Sequence, residues 1–88
     1  MKTKTFKQML SLISKQPSAN IVIHDRMATI QVGNQSVYVA DNDFDYQKLL
    51  AHKDCNIVIA VYNSQCISNI SIECEDCYEV LCDWDRVN

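Results

Sequence analysis

The chain has 88 residues, 48% of them hydrophobic and 22% charged, with a formal net charge of -3, enough for one modest core and too little for two. One Gly and one Pro leave no material for a Gly-rich phosphate loop, a dinucleotide fingerprint or a nucleophile elbow, so familiar enzyme classes are disfavoured and no catalytic residues are expected. The charge is uneven: residues 1–53 hold seven Lys and Arg against four acids, and residues 54–88 hold seven acids against Arg86 alone, making the protein electrically two-ended.

The first predicted element is a helix. Phe6, Met9, Leu10, Leu12 and Ile13 recur near the 3.6-residue period, Thr5 can cap the start with Gln8 three residues on, and Pro17 follows the end. The opposite face carries Lys4, Lys7, Ser11 and Lys15. The opening "MKTKTFKQML" has no apolar stretch of the export-signal kind, and the longest apolar run, Ile57 to Tyr62, is far short of the roughly 20 residues of a membrane span. The expected location is the cytoplasm, and no membrane is expected as a partner.

Three strands should follow. A two-residue turn at Asp25-Arg26 sets Ile23 opposite Ala28 and Ile21 opposite Ile30, and a second at Gly33-Asn34 sets Ile30 opposite Val37 and Ala28 opposite Val39. His24 beside Asp25 is expected as an exposed turn pair, since neighbours in a strand point to opposite faces and cannot form a relay. The stretch "ADNDFDYQKLLAHKDC" reads as a second helix, with Asp41, Asp43 and Asp45 at its start, Lys48, His52 and Lys53 toward its end, and Phe44, Leu49 and Leu50 on the apolar side. "CNIVIAVYN", "CISNISIEC" and "YEVLCDW" read as three more strands, the first so continuously apolar that it is expected inside the sheet.

The sequence "NIVI" occurs at 20–23 and again at 56–59, after each helix. Phe6 then aligns with Phe44, Leu12 with Leu50 and Lys15 with Lys53, which suggests pseudo-repeats of about 4–42 and 43–86 or a recurring layout. The expected fold is a single α+β domain over 1–88, a mostly antiparallel sheet of about six strands with two helices in the order α-βββ-α-βββ.

Five cysteines, an odd count, read as reduced thiols. Cys74-Glu-Asp-Cys77 has the spacing of half a zinc site, with Cys66 or His52 imaginable as further ligands. A three-residue loop, Glu75 to Cys77, would pair Cys74 with Tyr78, Ile72 with Val80 and Ile70 with Cys82, making Cys74 and Cys82 core thiols and Cys77 a loop residue. On that register no metal and no cofactor is expected.

The same register sets Glu73 directly opposite Glu79, a like-charge pair that stability alone would avoid. With Glu75, Asp76, Asp83 and Asp85 nearby and no basic residue between Asp54 and Asp85, the hairpin reads as a recognition surface for a basic or nucleic-acid-binding protein. Tyr78, Trp84 and Arg86 are its expected anchors. Two other readings are a nucleic-acid-binding module using the lysine face, and a homo-oligomeric structural protein, such as a homodimer, that pairs exposed strand edges. The helix "TFKQMLSLISK", the meander "NIVIHDRMATIQVGNQSVYVA", a second helix and the acidic "ECEDCYEVLCDWD" together resemble the small anti-CRISPR inhibitors of phages and mobile elements. The resemblance is one of layout and charge and carries over no residue roles. It implies a stoichiometric, non-catalytic inhibitor that binds a CRISPR effector in the host cytoplasm and blocks its engagement of nucleic acid.

Overall fold

The computed structural model describes residues 4–13, 19–63 and 65–86. Lys2, Lys15 and Pro17 lie outside them. The order is α1 (Phe6–Ile13), β1 (Asn20–His24), β2 (Met27–Val32), β3 (Gln35–Ala40), α2 (Tyr46–Ala51), β4 (Ile57–Tyr62), β5 (Asn69–Cys74) and β6 (Glu79–Asp85). This is the expected α-βββ-α-βββ domain. The six strands are divided between two antiparallel meanders, β1-β2-β3 and β4-β5-β6.

Helix α1 starts where the sequence signals it. The Thr5 amide donates to Gln8 Oε1 at 2.9 Å and the Gln8 amide donates back to Thr5 Oγ1 at 3.3 Å, so two amides with no partner inside the helix are satisfied reciprocally. In the first meander Ile21 pairs with Ile30, Ile23 with Ala28, Ile30 with Val37 and Ala28 with Val39, as the two-residue turns require. Gly33 has φ 64°, the left-handed backbone that a tight hairpin needs and that a side chain would oppose.

The second half departs from expectation in three places. Helix α2 spans only Tyr46–Ala51, because the Asp43 carboxylate accepts the Asp45 amide at 2.9 Å and holds the acidic stretch in turns that compete with helix. Phe44 is therefore 84% exposed instead of lying on the apolar side; the Lys48 ammonium sits 5.5 Å from its ring centre. Strand β4 is an edge strand and β5 is central, since short connections keep consecutive strands adjacent. The β5–β6 connection is a four-residue turn, 75–78, with a bulge in the ladder at Ile72/Glu73. Cys74 pairs with Glu79, Glu73 with Val80 and Ile72 with Cys82. Leu81 is the extra residue, and the shift buries it while turning Tyr78 and Val80 outward. The expected Glu73–Glu79 pair does not form.

One core serves both meanders. Ala28, Ile30, Val32, Val37 and Val39 meet Ile70, Ile72, Cys74, Leu81, Cys82 and Trp84, with Met9 and Leu49 from the helices, in a single buried cluster. The helices interleave the halves: α1 lies against β5 and β6, whereas α2 lies against β2 and β6. Covering a neighbour's sheet removes apolar area from water at about 25 cal/mol per Å², and neither meander buries its face without an element from the other half. No described helix is long and apolar enough to cross a membrane.

Candidate functional site at the base of the C-terminal hairpin

Most carboxylates of the acidic hairpin are occupied within the protein. Glu73 is half-buried; it accepts the Tyr62 phenol across the strand pair and the Ser71 hydroxyl at 2.6 Å. Asp76 accepts both the amide and the side-chain nitrogen of Asn56, at 3.1 and 3.2 Å. Glu79 lies 2.8 Å from His52 Nε2, and Asp85 accepts from Asn69 Nδ2 at 2.7 Å. Trp84, expected as an anchor for a partner, is instead 6% exposed and donates from its indole to the Lys4 carbonyl at 2.8 Å. Burial of so large a ring is best satisfied with its single donor paired. Arg86 donates to the Ile67 carbonyl and stacks over Phe6. Glu75, Asp83 and Tyr78 are exposed, Tyr78 at 92%.

Tyr78 also has φ 56°. A left-handed backbone costs a non-glycine residue roughly 1–2 kcal/mol, and here it ends the turn whose Tyr78 amide donates to the Cys74 carbonyl at 2.9 Å. Farther along β6, Phe44, Lys48, Val80 and Asp83 line an open groove of about 400 Å³ between the α2 N-terminus and the strand. The hairpin tip thus presents an exposed aromatic beside exposed acids.

Beneath that tip the fold gathers four side chains that are far apart in the sequence. The ligand atoms of His52, Cys55, Cys74 and Cys77 all lie within 4.8 Å of one another. His52 and Cys55 belong to the loop that leaves α2, Cys74 ends β5, and Cys77 occupies the turn. Three hydrogen bonds hold the loop and the turn together: the two that Asp76 accepts from Asn56, and one that the Glu75 amide donates to the Asn56 carbonyl at 2.8 Å. Cys55 Sγ is 3.8 Å from His52 Nδ1, and the Cys77 amide donates to Cys74 Sγ at 3.3 Å.

The thiols alter one another's acidity. Hydrogen bonding to Cys74, aided by burial, pushes Cys55 up to about 11, and the same contact raises Cys77. Burial opposes ionisation of Cys74, but hydrogen bonds from the Cys77 amide, both neighbouring thiols and His52 outweigh it and bring this thiol below its ordinary value. Of the three thiols, the one that collects the donors, Cys74, is thus the most readily ionised.

The expectation that Cys74 and Cys82 are buried thiols and Cys77 a loop residue agrees with the structure. Cys66 is exposed and stands outside the cluster. His52 is among the candidate ligands read from sequence and Cys55 is not, although His52-Lys-Asp-Cys55 repeats the spacing of Cys74-Glu-Asp-Cys77. Two such pairs, 22 residues apart by first members, were the available signal. No protein family's model matches the chain, and neither a curated protein nor a solved structure matches it.

Proposed function

We propose that the protein is a non-catalytic binding module that presents its C-terminal hairpin to a basic or nucleic-acid-binding protein and blocks that partner's engagement of nucleic acid. The observation that carries this reading is Tyr78: a bulky aromatic held almost wholly in solvent, with a left-handed backbone, on a turn pinned to the body of the fold. The turn needs the backbone of Tyr78 but not its ring, whereas exposed aromatics are frequent energetic centres of protein interfaces. Phe44 and Val80, both exposed, offer a second apolar patch at the groove between α2 and β6, and the acid excess of the second half supplies attraction to a cationic surface. An inhibitor of a CRISPR effector is one concrete instance.

The test is affinity capture from the native host with the wild-type chain, Tyr78→Ala and Glu75→Lys. The expected result is a captured basic protein that is lost with Tyr78→Ala, weakened by Glu75→Lys and by added salt, and no longer retained on its nucleic acid when the inhibitor is present at equal concentration. Capture that is indifferent to both substitutions sinks the reading. Unchanged thermal melting of the two variants separates loss of binding from loss of fold.

A further inference from the structure

We propose that His52, Cys55, Cys74 and Cys77 bind one Zn²⁺ ion in a closed tetrahedral site that joins the end of α2 to the β5–β6 turn. Three thiols and an imidazole are the donor set of a structural zinc site, and each pair has a spacing within the range such sites use. The geometry is close to what the ion requires. Zinc–sulfur bonds of about 2.3 Å set tetrahedral sulfurs about 3.8 Å apart, so atoms within 4.8 Å of one another need draw in by no more than about 1 Å. Cys55 Sγ and His52 Nδ1 already stand 3.8 Å apart.

The surroundings serve a metal better than they serve packing. His52 Nε2 is engaged by Glu79 at 2.8 Å; a carboxylate on one ring nitrogen fixes the tautomer and leaves the Nδ1 lone pair aimed at the sulfurs, the arrangement by which proteins orient a metal-bound imidazole. The Cys77 amide donates to Cys74 Sγ, which stabilises a thiolate. Cys82 provides the contrast, a 2%-exposed thiol in the core outside the cluster. A packing account predicts burial for every member, yet Cys77 is exposed and Cys55 half-buried. Four protein ligands fill a tetrahedral shell and leave no position for a reactive water, so the ion is structural. This site stands whether or not the hairpin tip binds the partner proposed above.

The full chain, reduced and stripped of metal, is titrated with Co²⁺ and then with Zn²⁺. The expected result is one equivalent of Co²⁺ with the intense visible bands of tetrahedral coordination and a thiolate-to-metal charge-transfer band, both erased by one equivalent of Zn²⁺. Cys77→Ser should reduce the charge-transfer band, and Glu79→Gln should weaken Zn²⁺ binding roughly 10–100-fold while keeping the tetrahedral spectrum. Cys66→Ser should change nothing. The proposal is overturned if the folded wild-type chain gives only the faint bands of six-coordinate Co²⁺ without charge transfer, if Cys66→Ser weakens binding as much as Cys77→Ser, or if a disulfide within the cluster persists in protein purified under reducing conditions. The wild-type spectrum decides the matter even where a variant fails to fold.

Discussion

Tyr62 and Glu73 show how a single pair can tie a strand edge to its neighbour. The hydrogen bond from the phenol to the carboxylate holds Tyr62 above its ordinary value of 10.0, because ionisation removes the proton that the bond donates. A group whose folded value is raised stabilises the fold fully below its unfolded value and loses that contribution as pH rises through the folded one. Stability should therefore fall on the alkaline side, above about pH 10, and Glu73→Ala should remove the share of that fall that belongs to Tyr62. NMR titration of the Tyr62 ring carbon against pH checks it: the midpoint should move back toward the ordinary value in Glu73→Ala. The pairing was invisible in the sequence, where Glu73 reads as one more outward acid; only the β4–β5 register brings Tyr62 within reach.

At the scale of elements, legibility followed the turns. Both turns of the first meander hold two residues, which fixes register, and every inward residue there could be named from alternation alone. The second meander defeated alternation because its four-residue turn and bulge insert Leu81 into the ladder, so Leu81 and Cys82 are buried in succession. A simple alternating strand would instead bury Val80. The structure reverses the expected ranking: Leu81→Ala should cost about 2–5 kcal/mol, whereas Val80→Ser should lie within about 0.5 kcal/mol of wild type. Urea unfolding of the two variants distinguishes these registers. The second helix was misjudged for a related reason, since acids that favour a helix start also form side-chain turns, and Asp43 takes the Asp45 amide before a helix can.

At the scale of the whole molecule, the thiol cluster is a product of topology. Its members come from the loop after α2 and from the end of β5 and its turn, brought together by the pairing of Ile57 with Cys74, so one half of the donor set read alone looks like packing. A bound ion would close the chain between residues 52 and 77 and stabilise only the folded form, by about 4 kcal/mol when free metal is 1,000 times its dissociation constant. Adding a strong chelator should therefore lower the melting temperature of zinc-loaded protein, at roughly 4–8 °C per kcal/mol for a domain near this size. Differential scanning calorimetry with and without chelator measures it, and Cys77→Ser should respond less to the addition than wild type.

The bond from the Trp84 indole to the Lys4 carbonyl spans 80 positions of the chain, and Arg86 lies 5.3 Å over the Phe6 ring. The first and last described segments are thus neighbours in space. A circular permutant follows from that adjacency: residues near 4 and 86 can be joined by a short flexible linker and the chain reopened between Gly33 and Asn34, where both residues are exposed and backbone continuity serves only the hairpin. Such a permutant should retain native circular dichroism and the Co²⁺ spectrum. A cut placed between Asp76 and Cys77 should lose the spectrum first, because the connectivity that matters to this fold runs through its sulfur-lined turn.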